Sequence, residues 1–129
     1  MRKAISILLL MALVLCFAGC KETINHDQTE PGKITYTYGS LHFTETLTNS
    51  EISQILNLLN GKMEVPFTPD CGFSASVSFS VGVYTYALAQ DGCPLLYNCT
   101  TERCITLSDE EHQIVESLFI SRGGVFPCS

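Results

Sequence analysis

The chain has 129 residues, with 7 basic side chains against 13 acidic ones and a net charge of −6. This length argues for one domain. An acidic balance with no Lys/Arg cluster repels phosphate backbones and argues against nucleic acid as a partner. A folded part of under about 100 residues buries only a moderate share of its surface, so cross-links would help hold it.

The chain opens with Arg2 and Lys3, followed by an apolar run from Ala4 to Ala18 that no charge interrupts, and then Gly19-Cys20. A positive start, an apolar centre and small residues before a cut are the three parts of a secretory signal. The apolar run of 15 residues is short of the ~20 that span a bilayer as a helix. Phe17-Ala18-Gly19-Cys20 resembles a lipobox, with Phe17 where that pattern prefers leucine. The resemblance covers only the first 20 residues and implies a bacterial lipoprotein. Its signal, residues 1–19, would be removed and diacylglycerol would be attached to Cys20, usually with a further acyl chain. Two or more chains give stable anchoring to a membrane. Lys21-Glu22 suits an inner membrane, an outer membrane or a Gram-positive surface alike. Cleavage would leave 5 basic against 13 acidic residues, a net charge of −8.

Residues 20–32 read as a polar tether, and residues 33–129 as the folded domain. Ile34 to Tyr38 and Leu41 to Leu47 alternate around Gly39-Ser40, predicting a hairpin. One long strand bulged at Gly39 is the alternative. Thr48-Asn49-Ser50-Glu51 matches a capping box. Ile52, Ile55, Leu56 and Leu59 follow at helical spacing, and Asn60-Gly61 ends the helix. Met63 to Pro69 reads as a connection. Phe73, Ala75, Val77, Phe79 and Val81 alternate with serines, predicting a strand covered on one side only. A turn at Val81-Gly82, with Ser80 opposite Val83, leads into Val83 to Ala89. Pro94 to Asn98 and Arg103 to Leu107 form a further hairpin. Ser108 to Glu111 is a second capping box, before a helix buried through Ile114, Val115, Leu118 and Phe119. Gly123-Gly124 stops it, and Val125-Phe126-Pro127 is expected to pack back on the core. The order ββ-α-ββββ-α implies an α+β fold in two layers, a mainly antiparallel sheet with both helices on one face. Thr46-Leu47-Thr48-Asn49-Ser50-Glu51 echoes Thr106-Leu107-Ser108-Asp109-Glu110-Glu111, which capping chemistry alone suffices to generate.

Past Cys20 come Cys71, Cys93, Cys99, Cys104 and Cys128. Outside the cytoplasm disulfides persist. The expected hairpin register brings Cys71 beside Cys93, and Cys99 and Cys104 flank a short loop. The expected bridges are therefore Cys71–Cys93 and Cys99–Cys104, each contributing roughly 2–3 kcal/mol. Pairing of Cys128 with Cys71 or Cys93 is the alternative. The cysteine spacings lack the close Cys-x-x-Cys pairs of zinc sites, so neither metal nor cofactor is expected.

His42 should face solvent beside Leu41 and Phe43. His112, among Asp109, Glu110 and Glu111, should sit on a solvated helix start, where acidic residues suit the helix dipole. No phosphate loop, His-Glu-x-x-His or Gly-x-Ser-x-Gly motif occurs. The expectation is a lipid-anchored envelope module that binds a protein partner and performs no catalysis. Its candidate binding face is Ser74, Ser76, Ser78, Ser80 and Thr85. The alternative is an envelope enzyme, or an inhibitor of a secreted hydrolase. Exposed aromatics among Tyr36, Tyr38 and Tyr97 would favour inhibition or protein binding, and a pocket joining His42 or His112 to a carboxylate would favour an enzyme.

Overall fold

The first hairpin joins β1 (Lys33–Tyr38) to β2 (Leu41–Thr46) through Gly39-Ser40. Gly39 supplies the positive φ that a two-residue turn needs at its first position. The computed structural model describes residues 31–66 and 72–126. The leader, Cys20, most of the tether, Cys71, Pro127 and Cys128 lie outside the described residues. After the hairpin come α1 (Asn49–Leu59), β3 (Val77–Val81), β4 (Tyr84–Leu88), β5 (Leu95–Asn98), β6 (Arg103–Thr106) and α2 (Asp109–Ile120). This is the ββ-α-ββββ-α order expected of an α+β fold.

All six strands form one antiparallel sheet in the order β2-β1-β3-β4-β5-β6. Chain β2-α1-β3 passes over β1, and β3 to β6 then follow as a meander. Strand alternation turns Ile34, Tyr36, Val77, Phe79, Val81, Tyr86, Leu88, Leu96 and Ile105 to one side, where they are buried. They share a single core with Ile55, Leu58 and Leu59 of α1 and Val115, Leu118 and Phe119 of α2. The centre is aromatic: Tyr36 stacks on Phe43 with ring centroids 5.3 Å apart and meets Phe119 and Phe126 at 6.2 and 6.1 Å. Such pairs contribute about 0.5–1.5 kcal/mol each beyond area burial. The tail does fold back. Phe126 is buried, and the Tyr36 hydroxyl both donates to the Val125 carbonyl (2.6 Å) and accepts from its amide (2.9 Å).

Two expectations for β3 need correction. The strand starts at Val77 rather than Phe73, because local bonds claim the backbone ahead of it. The Ser74 and Ser76 hydroxyls lie 2.8 Å apart, the Ser76 amide donates to Ser74 Oγ, and the Val77 amide donates to the Ser74 carbonyl. Such short-range bonds compete with ladder formation. The β3–β4 register also differs by two residues: Val81 pairs with Tyr84 and Phe79 with Tyr86. The loop is Gly82-Val83, with Gly82 at φ 59°. The expected loop would have placed β-branched Val81 at that positive-φ position, which it resists. A two-residue slip keeps every side chain on its face, so the apolar alternation alone could not fix the register.

Both capping boxes form. The Glu51 amide donates to Thr48 Oγ1 (3.2 Å) and the Thr48 amide to Glu51 Oε2 (2.8 Å). Ser108 and Glu111 repeat this with the same two distances. Each capping glutamate also takes a cation from just beyond the end of the other helix. Arg122 Nη2 reaches Glu51 at 2.8 Å, and Lys62 Nζ reaches Glu111 at 2.7 Å. The helices thus lie antiparallel, tied at both ends. These pairs extend the sequence echo: Glu51 and Glu111, and Lys62 and Arg122, are each 60 positions apart. The strand order has matching symmetry, with a hairpin's second strand at each edge and its first strand next to it.

Candidate functional site

The open side of the sheet carries the residues that point away from the helices. On β1 and β2 these are Lys33, Thr35, Thr37, His42, Thr44 and Thr46. They lie in cross-strand pairs Lys33 with Thr46, Thr35 with Thr44, and Thr37 with His42. β3 and β4 continue the face: Ser80 pairs with both Lys33 and Thr85, and Ser78 with both Thr35 and Ala87. The result is a field of hydroxyls. Its ionisable groups on these strands are Lys33 and His42, whose ring Nδ1 is 2.7 Å from Thr37 Oγ1. The carboxylates of the described residues lie elsewhere. Glu45 points to the helix side and meets Arg122, and the others belong to helices, loops or the connection after α1.

The expected binding residues divide across this geometry. Ser80 and Thr85 stand side by side on the open face, the Ser80 hydroxyl accepting from the Lys33 amide at 3.2 Å. Ser78 is 5 % exposed, its hydroxyl turned onto the Ala75 carbonyl at 2.6 Å, so it offers little to a ligand. Ser74 and Ser76 belong to the turn before the strand, where each engages the other. The open side is also not wholly hydroxylic. Phe73 and Tyr97 pack ring against ring at 5.5 Å beyond Ala87, which is fully buried. The β1–β2 threonines belong to the face although the sequence reading passed over them. Their signal was the alternation of Thr35 and Thr37 with Ile34 and Tyr36, but which strand would lie beside β1 was not legible.

The expected cysteine pairing also needs correction. Cys93 is disulfide-bonded, and its expected partner Cys71 lies outside the described residues. Cys99 and Cys104 are thiols, not a bridge. Cys104 faces Tyr97, and Asn98 faces Arg103. Cys99 lies beyond the last paired residue, its amide bonded to the Thr85 carbonyl of β4 at 2.8 Å. The two cysteines are therefore diagonal neighbours, typically ~7–8 Å apart, whereas a disulfide needs Cβ atoms near 3.8 Å. Burial pushes both thiols above their ordinary pKa, which keeps them protonated and weakly reactive.

The histidines separate. His42 is exposed, as its alternation implied. His112 does not lie on a solvated face: it is 8 % exposed, beside Glu116 at 6 %. The capping box sets the helix phase so that His112 and Glu116 share a stripe with Val115 and Phe119. His112 Nε2 and Glu116 Oε1 stand 3.7 Å apart, and neither makes a hydrogen bond. Buried polar atoms without a hydrogen bond cost about 1–3 kcal/mol each, so this pair is expected to cost the fold stability. Replacing both by apolar residues of similar size, His112→Leu with Glu116→Met, should raise the melting temperature by roughly 5–10 °C. A drop in a thermal scan of the double variant would show that the pair stabilises the fold instead.

Among the described residues, no group of His, Cys, Asp and Glu is arranged to hold a metal ion. No protein-family model, curated protein or solved structure matches the chain.

Proposed function

We propose that this chain is a lipid-anchored module of the bacterial cell envelope, which binds a protein partner through the open face of its sheet and performs no catalysis. The observation that carries the binding reading is where the acidic groups lie. On a strongly acidic chain, the face from β2 to β4 presents hydroxyls, Lys33 and His42, and its neighbours keep their carboxylates off it. A partner docking there meets hydrogen-bonding groups without like-charge repulsion. The leader ending in Phe17-Ala18-Gly19-Cys20 supports the location, and a disulfide at Cys93 suits an oxidising compartment.

The alternative readings find less support. Among the described residues the buried histidine–carboxylate pair is His112 with Glu116, 8 % and 6 % exposed, which leaves a substrate little approach. The tyrosines that would form an aromatic contact surface are dispersed, so the hydroxyl face and not an aromatic cluster carries the binding reading. Tyr36 is fully buried, Tyr38 sits at the hairpin tip, and Tyr97 packs on Phe73.

Crosslinking in intact cells tests the reading, with a photo-reactive residue in place of Thr85. One reproducible envelope protein should be captured, and Thr35→Glu with Ser80→Glu should abolish the capture. A capture indifferent to those charges, or turnover of a small substrate by the purified chain, would overturn it.

A further inference from the structure

The two edges of the sheet end differently. On β6 the outward groups of Cys104 are taken by Val65, in a two-bond antiparallel bridge with both N–O distances 2.9 Å. On β2 nothing among the described residues pairs with the outer edge. The contrast breaks the 60-residue offset that relates the two capped helices. Thr44 lies 60 positions before Cys104, and Val65 lies 60 before Val125. Val125 does not return to Thr44, because its amide and carbonyl are both held by the Tyr36 hydroxyl. The segment equivalent to the one that closes the β6 edge is thus diverted into the core.

The hydrogen-bond phase shows what the open edge offers. The Leu47 amide donates to the Gly32 carbonyl, so in this antiparallel ladder Leu47, Glu45, Phe43 and Leu41 turn their backbone groups toward β1. His42, Thr44 and Thr46 turn theirs outward. The strand contains no Lys, no Pro and no bulge against β1, and its one charged side chain, Glu45, is neutralised by Arg122.

We infer that the β2 edge is a self-pairing site that joins two copies of this chain into one continuous antiparallel sheet about a two-fold axis at Thr44. In that register His42 pairs with Thr46 of the second copy, and Thr44 with Thr44. Every outward amide and carbonyl of these residues then finds a partner. No like charges face each other, since Glu45 comes opposite Phe43 of the second copy and is already held by Arg122. A slip one way sets Glu45 against Glu45, and a slip the other way leaves Thr46 opposite the Gly39-Ser40 turn. The strand is therefore complementary to itself in one register, which favours a second copy over an unrelated extended segment.

The test uses the full chain in cells with a photo-crosslinking residue in place of Thr46. The expected adduct has twice the chain mass, and its linked peptide contains His42. Adding Thr44→Pro should reduce the adduct at least ten-fold. The Thr44 amide points outward, so proline there removes no internal bond. Thr44→Lys, which faces itself across the axis, should act likewise, and the folded circular dichroism spectrum should persist in one variant or both. An adduct of any other mass, no adduct, or a doubled band indifferent to both substitutions overturns the inference.

Discussion

Asn98→Ala should lower the stability of this domain by about 3 kcal/mol, a fall of roughly 15 °C in melting temperature. Asn98 has no exposed surface and sits on the core side of β5, opposite Tyr86 and Arg103. Its Nδ2 donates to Glu64 Oε1 at 2.7 Å, and its Oδ1 accepts from the amides of Thr100 and Thr101 at 3.0 and 3.2 Å. The Thr101 hydroxyl donates to Glu64 Oε2 at 3.1 Å. One side chain thus holds the β5–β6 turn and pins the connection after α1, beside the Val65–Cys104 bridge. Alanine strands two amides and a carboxylate oxygen in a partly buried place, where each unmet group costs about 1–3 kcal/mol. Asn98→Asp separates the bonds. It keeps the acceptor for the turn but sets a carboxylate against Glu64, so its loss should be largest at neutral pH and shrink in acid. A melting temperature within about 3 °C of the parent for Asn98→Ala would show that water replaces the network.

Arg122→Ala should cost about 2–3 kcal/mol, because hydrogen bonds to charged groups exceed neutral ones. The guanidinium is 10 % exposed and bonds Glu45, Glu51 and the Leu118 carbonyl, each at 2.8 Å. It joins the edge strand, the start of α1 and the end of α2. Lys62 makes one such bond from a more open position, so Lys62→Ala should cost under about 1 kcal/mol. Arg122→Lys keeps the charge but lacks the planar fork, and should recover less than half the loss. The same contacts set an acid limit. Hydrogen bonding from Arg122, with help from the Thr48 amide, holds Glu51 below the usual carboxylate pKa. Hydrogen bonding from Lys62, then from the Ser108 amide, does the same for Glu111. A pKa depressed in the folded state means that the unfolded chain binds protons first. The stabilisation is therefore complete above the unfolded glutamate value of about 4.3 and is lost as pH falls below it through the folded values. Melting followed from pH 7 to 3 should stay level and then fall. In Arg122→Ala the fall should be shallower, since Glu51 then loses the largest cause of its lowered pKa. An unchanged acid slope would mean that other carboxylates set it.

These two predictions concern what was least legible in the sequence. The element order, both capping boxes, the helix stripes and the return of Phe126 followed from periodicity and local chemistry. Such signals lie within a few residues and survive any tertiary arrangement. What they do not encode is phase between distant segments. The β3–β4 register needed the steric demand at Gly82, not the alternation. The pairing of Cys99 with Cys104 failed because closeness in sequence says nothing about which residue a strand sets opposite. Asn98 read only as the end of a strand, and the arrival of Glu64 from 34 residues away makes it a buried tie. His112 looked solvated because its neighbours are acidic, yet the phase fixed by Ser108 and Glu111 turns it inward. The binding face was legible as a row of serines on one strand. Its wider part, Thr35, Thr37, Thr44 and Thr46, depended on β1 lying beside β3 across the α1 crossover.

The proposed envelope role rests first on where the chain is held. Intact mass of the chain recovered from the membrane fraction, set beside that of Cys20→Ser, measures this directly. The reading predicts a chain beginning at Cys20, heavier than its residues by a diacylglycerol and up to one further acyl group. It also predicts a Cys20→Ser variant that is released or remains uncut. A Cys20→Ser chain that stays on the membrane at the parent's mature mass would contradict it.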